Sequence, residues 1–183
     1  MRNKQKGMGI TEVLVAMVML TIGISAMVSV QLAATKSTEA SLKKVEAINI
    51  AKDYIEIMRT NPTQKATYDQ LSINDDKMKN AAGSLNCYTA ECTLVEKAKF
   101  DLTQVYKRAN ERGYSIRANT CNLNSARRCV FVSWGETQPT EGTSSANGGV
   151  GSNDRAADYN CAVVSNGQLV IPETANCAML EGM

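Results

Sequence analysis

The fold of this chain is decided by residues 13–30, which read VLVAMVMLTIGISAMVSV. The run is interrupted by polar or flexible residues only at Thr21, Gly23, Ser25 and Ser29. Eighteen helical residues extend about 27 Å, just enough to cross the hydrocarbon core of a bilayer. The run therefore predicts a single transmembrane helix.

The residues before this run predict its orientation. Arg2, Lys4 and Lys6 are basic, and residues 1–6 contain no acid. Basic residues before a span keep the N-terminus in the cytoplasm. We therefore expect a cytoplasmic N-terminus, with the rest of the chain on the other side of the membrane.

A single acidic residue, Glu12, precedes the apolar run. A charged side chain costs roughly 2.5–3.5 kcal/mol at the centre of an inserted helix and less near its edge. An ordinary secretory signal peptide needs no such residue, and it ends in a small-residue cleavage region. Residues 31–44 instead continue as helix-forming sequence without proline or glycine. A secreted, disulfide-bonded binding module with an ordinary signal peptide stays open as an alternative.

Composition limits the function classes. The 183 residues carry a formal net charge of +2 and no histidine. The small, scattered charge does not indicate nucleic acid binding, and the commonest general base and metal ligand is missing. The acidic pair Asp75-Asp76 and the group Asn153, Asp154 and Asp158 lack the ligand spacing of a calcium loop. We therefore expect no enzyme, no cofactor and no metal site.

The pattern beyond the membrane run predicts a mixed α+β chain. A continuous helix is expected from about Gly9 to Thr60, ending before Pro62, because proline disfavours helix in the preceding residue. Its second half carries an apolar stripe at steps of three or four residues, made of Leu42, Val45, Ile48, Ala51, Ile55 and Met58.

The remaining residues predict a smaller domain. Residues 63–85 are polar and are expected to form a loop, followed by a second amphipathic helix from Thr93 to Arg112 with Gly113 as its C-terminal cap. Residues 136–153 are rich in glycine, serine and threonine, which predicts an exposed loop. Strands are expected at residues 114–118, 129–134, 160–164 and 168–171, the last two joined by a hairpin at Ser165-Asn166-Gly167.

Residues 6–16, KGMGITEVLVA, resemble the type III signal of type IV prepilins. In that family a short basic leader ends in glycine, and glutamate is the fifth residue of the mature chain. With Met8 as the first mature residue, Glu12 is the fifth, although Met8 replaces the usual phenylalanine. The resemblance implies cleavage after Gly7 by a prepilin peptidase, followed by N-methylation of Met8.

The resemblance also implies a domain organisation. Residues 1–7 would be the leader, residues 8–61 a long helix with its transmembrane part at about 13–30, and residues 62–183 a disulfide-containing globular domain facing the periplasm or exterior. The expected fold is α+β and pilin-like, with the helix packed on a small antiparallel sheet. The stretches AKFDL at 98–102 and VFVSW at 130–134 are most similar to PilV-type minor pilins.

The function implied is that of a minor pilin in type IV pilus, or fimbrium, assembly and initiation, including pili used for twitching motility. The expected partners are other minor and major pilins, the prepilin peptidase, the inner-membrane assembly platform and membrane lipid. The chain would lie in the inner membrane and then in the pilus at the cell surface. A type II secretion pseudopilin shares this N-terminal pattern and stays open.

Glu12 has a physical role in this interpretation. A carboxylate in the membrane needs a cationic partner, and the resemblance suggests the α-amino group of Met8 on a neighbouring subunit. Because a slipped helix would leave the carboxylate unpaired, such a charge pair would set the axial register. Snorkelling of Glu12 to the membrane interface is the simpler alternative.

The six cysteines all lie in the second half of the chain, which suits disulfides in an oxidising compartment. The sequence contains no C-x-x-C pair, which argues against a zinc site or a redox site. Six cysteines permit fifteen pairings, and we predict the sequential ones. The last would close a loop of about 15 residues, worth roughly 3 kcal/mol, and a C-terminal disulfide loop is common in pilins. The predicted pairs are Cys87 with Cys92, Cys121 with Cys129, and Cys161 with Cys177.

Overall fold

The computed structural model describes residues 9–121, 124–143, 160–165, 168–172 and 175–182. The chain divides into two compact units, Met1–Lys43 and Lys44–Met183. Several predicted features lie outside the described residues. They are the leader with Gly7 and Met8, the hairpin tip Asn166-Gly167, the acidic group at Asn153, Asp154 and Asp158, and the predicted loop beyond residue 143.

Helix α1 spans Ile10–Thr60, which confirms the long N-terminal helix. It ends directly before Asn61-Pro62, where the preference of a residue before proline for extended backbone opposes another helical turn. The α+β class is also confirmed, because the second unit adds three further α-helices and six strands among the described residues.

The face that α1 buries in the second unit agrees with the predicted stripe at Ala51, Ile55 and Met58 and differs from it towards the N-terminus. Leu42 and Val45 were predicted on that stripe, yet they are 65% and 56% exposed. Tyr54, which is not on the predicted stripe, is completely buried. The buried face is therefore rotated about the helix axis relative to the predicted stripe. Ile48 is only partly buried. The buried residues of α1 are Ala47, Ile50, Ala51, Tyr54, Ile55 and Met58.

The loop predicted at residues 63–85 is wrong for much of its length. A short 3₁₀ turn, Pro62–Gln64, leads into α2, Lys65–Leu71, and α3 follows at Asp75–Asn80. Each of these short helices buries one residue, Tyr68 in α2 and Met78 in α3. One buried residue per helix produces no detectable periodicity, so tertiary packing defines these helices.

Helix α4, Leu94–Glu111, confirms the predicted second amphipathic helix. Thr93 and Glu96 form a capping box at its start, each side chain accepting from the other's backbone N–H. At its end Gly113 has φ +79°, a left-handed conformation that glycine adopts without a Cβ clash. Both ends of α4 are therefore fixed by local sequence.

The first sheet is antiparallel with the order β1-β2-β6. Its strands are β1 (Tyr114–Cys121), β2 (Asn124–Trp134) and β6 (Cys177–Gly182). The first two were predicted but shorter, and β6 was not predicted. In the register, Phe131 of β2 is opposite Arg117 of β1 and Met179 of β6.

A second sheet has the order β3-β4-β5, formed by Gln138–Thr143, Asn160–Ser165 and Gln168–Val170. Strands β4 and β5 pair antiparallel as the predicted hairpin requires, but β3 pairs parallel to β4. Strand β3 begins inside the loop predicted at residues 136–153, and that prediction is wrong for residues 138–143. Pairing with a distant strand has no local sequence signal.

Residues 129–133 of strand β2 are buried on both faces of the sheet, which explains the apolar run at this place. Val130 and Val132 belong to the larger core with α1, α4 and Ile116 of β1. Phe131 belongs to a second core, where it joins the cysteines of two disulfides and Ala162 of β4. Because successive side chains of a strand point to opposite faces, the first sheet separates these two cores.

Candidate functional site

The N-terminal part of α1 carries an exposed apolar surface. Within the described residues, α1 is the one helix long and apolar enough to cross a membrane, although a signal sequence would meet the same test. The large apolar side chains from Ile10 to Leu32 are 41–87% exposed. The first unit taken by itself therefore leaves these side chains without apolar burial.

The hydroxyl groups in this surface are satisfied within the helix. Thr21 Oγ1 donates to the Val18 carbonyl at 2.8 Å, Ser25 Oγ to the Thr21 carbonyl at 2.8 Å, and Ser29 Oγ to the Ser25 carbonyl at 2.9 Å. An unpaired polar group in hydrocarbon costs several kcal/mol. These internal bonds let the hydroxyl-bearing residues lie in an apolar environment.

Glu12 lies in the first turn of α1 and is exposed. Its backbone N–H donates to the Gly9 carbonyl at 3.0 Å. A carboxylate near a helix N-terminus interacts favourably with the helix dipole. Among residues 9–121, no basic side chain forms an ion pair with Glu12. Gly7 and Met8 lie outside the described residues, so their processing and the partner of Glu12 remain predictions.

In the second unit, polar contacts bind α1 to its neighbours. The carboxylate of Glu46 accepts from Arg112 Nη1 at 3.0 Å and from the Tyr114 hydroxyl at 3.0 Å. Burial, followed by the hydrogen bond to Glu46, raises the pKa of Tyr114 to about 12. The phenol therefore stays protonated and continues to donate at physiological pH.

No pattern in the sequence predicts these contacts. Glu46 is separated from Arg112 and Tyr114 by 66 and 68 positions. Each is an ordinary polar residue in its local pattern, and no motif connects them. Only the packing of α1 against α4 and β1 brings them together.

Three disulfides fix the second unit, and they join the cysteines in sequential order. Cys87 with Cys92 closes a small ring before α4, and its Cα atoms are 5.6 Å apart. Cys121 with Cys129 joins β1 to β2 at 5.1 Å, and Cys161 with Cys177 joins β4 to β6 at 5.6 Å. The last bond covalently links the two sheets.

The acidic pair Asp75-Asp76 begins α3, where Asn74 caps the helix by accepting from the Asp76 N–H at 2.7 Å. Burial raises the pKa of Asp75, while Arg117 opposes the shift. The described residues contain no group of three or more potential protein ligands that would hold a metal ion. The pair thus serves as the acidic first turn of a short helix.

Two family models match the chain. The model of the prokaryotic N-terminal methylation motif matches residues 2–28, and the model described as type IV pilin Tt1218 matches residues 29–103. No curated protein and no solved structure matches the chain.

A long apolar N-terminal helix followed by a disulfide-bonded α+β domain with a small antiparallel sheet is consistent with the pilin fold. The two matches are adjacent and together cover more than half of the chain. The chain is a type IV pilin with the N-terminal methylation motif. Type IV pilins are structural proteins that associate with other pilins and are processed by a prepilin peptidase.

Proposed function

We propose that this chain is a minor pilin that assembles into, or initiates, a type IV pilus. Prepilin peptidase would remove residues 1–7 and Met8 would be methylated. Residues 8–61 would then form the assembly helix, with residues 13–30 in the inner membrane and residues 62–183 in the periplasm. The match to the methylation motif over residues 2–28 supports this scheme.

The observation that carries the proposal is the position of Glu12 at the start of an exposed apolar helix. When that helix moves from lipid into a filament, contacts with lipid are replaced by contacts with other helices. Apolar contacts alone define the position of the subunit along the filament axis only weakly. A carboxylate matched to the amine of Met8 on a neighbouring subunit would define it, because any slip leaves a charge unpaired.

The disulfides suit a domain outside the cytoplasm. Three covalent crosslinks in the second unit fit an oxidising compartment, which the periplasm and the cell surface both provide. The preference for a pilus subunit over a type II secretion pseudopilin rests on the similarity of residues 98–102 and 130–134 to PilV-type minor pilins, which stays a prediction.

The test replaces Glu12 with alanine in the full chain. The variant should insert, lose its leader and gain the methyl group, but its amount in sheared filaments should fall at least about tenfold, because the register-setting charge pair is lost. Immunoblots of filament and membrane fractions give the ratio, and mass spectrometry gives the N-terminus.

Glu39→Ala is the matched control, since Glu39 is an exposed acid of the same helix whose partner, Lys43, is one turn away. It should enter filaments normally. Normal incorporation of the Glu12 variant would refute the assembly role of Glu12. An intact leader in a host with the peptidase would refute the processing scheme. A wild-type chain missing from sheared filaments, with a secretion defect after its deletion, would favour the pseudopilin.

A further inference from the structure

A cavity of about 610 Å³ lies in the second unit, between the ring closed by Cys87 and Cys92 and the first half of α4. Its volume is within the range of small-molecule sites. Its chemistry comes from two aromatic residues, Tyr88 and Phe100, and three charged ones, Glu91, Lys97 and Asp101.

The ring that forms one wall is held in a fixed shape. Besides the disulfide, Asn86 organises it by accepting from the Tyr88 N–H at 3.1 Å through its side chain. The Asn86 carbonyl accepts from the N–H groups of Thr89 and Ala90 at 3.3 and 3.2 Å. A wall ordered in advance loses little conformational entropy when a ligand binds.

Tyr88 presents an open aromatic surface on this wall. Tyr88 is 81% exposed, although its ring makes a T-shaped contact with the ring of Phe100, with centroids 5.0 Å apart. Phe100 is 5% exposed and anchors that contact from within α4. An aromatic ring that is both positioned and exposed can stack on an apolar ligand face.

Asp101 supplies a carboxylate whose hydrogen-bonding capacity is unused. The side chain is half-buried, and burial raises its pKa while Lys97, one turn earlier, opposes the shift. Within the described residues, Asp101 forms no side-chain hydrogen bond and no ion pair within 4 Å. A ligand that donates a hydrogen bond to this carboxylate would replace the water contacts that the carboxylate loses on burial.

The cavity lining carries both signs of charge, with two carboxylates at Glu91 and Asp101 and one ammonium group at Lys97. It therefore offers hydrogen-bond acceptors and donors side by side. Hydroxyl groups can both donate to carboxylates and accept from an ammonium group. A neutral polyhydroxylated ring satisfies both kinds of side chain and presents a C–H face to an aromatic ring.

We propose that this cavity binds a neutral saccharide, with one pyranose ring stacked on Tyr88 and its hydroxyls hydrogen-bonded to Asp101 and Lys97. This activity is separate from filament assembly, since it uses no residue of α1. The pilin would thereby carry a sugar-binding site in its disulfide-bonded domain.

The experiment uses the full chain in nanodiscs free of glycolipid. Saturation-transfer NMR with the methyl glycosides of glucose, galactose, mannose and N-acetylglucosamine should detect binding of at least one probe. Tyr88→Ala should weaken it about tenfold or more, whereas Tyr88→Phe keeps the ring and should stay within about threefold of wild type. Asp101→Asn and Lys97→Met should each weaken binding.

Lys107→Met is the matched control, because Lys107 is an exposed lysine of α4 that does not line the cavity. It should bind as wild type does. Each variant's thermal unfolding establishes that it is folded. The proposal is overturned if no probe binds, if Tyr88→Ala binds normally, or if tetramethylammonium or acetate occupies the cavity in place of the glycosides.

Discussion

The side-chain amide of Asn61 donates a hydrogen bond of 2.7 Å to the carbonyl oxygen of Leu94. Asn61 directly follows α1, and Leu94 is the first residue of α4. The bond therefore joins the end of one helix to the start of another across 33 positions. Asn61 is only 3% exposed, so water does not easily replace this contact.

Replacing Asn61 with alanine should lower the free energy of unfolding by about 1–2 kcal/mol, because a buried hydrogen bond is lost. Trp134 is the one tryptophan of the sequence, and it packs beside the larger core. Its fluorescence in a denaturant titration reports the change. Asn49→Ala, at an exposed position of α1, is the control and should not destabilise. Equal stability of both variants would show that the Leu94 contact contributes nothing.

The disulfide that joins the two sheets should contribute more to the free energy of unfolding than the disulfide that closes the small ring. Cys161 and Cys177 are 16 positions apart, and Cys87 and Cys92 are 5 apart. In the chain-entropy relation, removing the first pair as Cys161→Ala with Cys177→Ala should cost about 3 kcal/mol, and removing the second pair about 2 kcal/mol. Non-reducing denaturant titrations of the two double variants measure this order. A larger loss from the small ring would contradict it.

Ionisation of the Asp101 carboxyl should lower the free energy of unfolding as the pH rises. Burial raises the pKa of its carboxyl in the folded chain above the ordinary 3.8, so the folded state holds this proton more tightly. The resulting stabilisation is complete below the unfolded pKa and is lost as pH rises through the folded one. Asp101→Asn should therefore raise the melting temperature at pH 7 by about 1–3 °C, with the gain vanishing at about pH 3, below the unfolded pKa. Calorimetric melts at both pH values test this, and a gain independent of pH would contradict it.

The candidate site divides in the same way as the fold. The roles of Gly7, Met8 and Glu12 are predictions from the sequence alone, because the motif that suggests them is a run of consecutive residues. Glu46, Arg112, Tyr114 and the cavity beside Tyr88 are not predictable in this way, since each brings together groups from separate elements. Asp101 and the ring closed by Cys87 and Cys92 line the same cavity, and no local pattern predicts this proximity.

By itself, the sequence determined the elements with strong local signals. Residues 13–30 are almost wholly apolar, so a helix long and apolar enough to cross a membrane can be recognised without a tertiary partner. Helix α4 is defined by its apolar stripe and both caps. The sequence pattern predicted Ala51, Ile55 and Met58 on the buried face of α1, and only tertiary structure decided that Tyr54 and not Val45 joins them. Tertiary structure also decided the positions of α2, α3, β3 and β6. These elements are stabilised by burial against, or pairing with, residues that are distant in the chain. A short stretch of sequence does not contain such partners, so it cannot predict them.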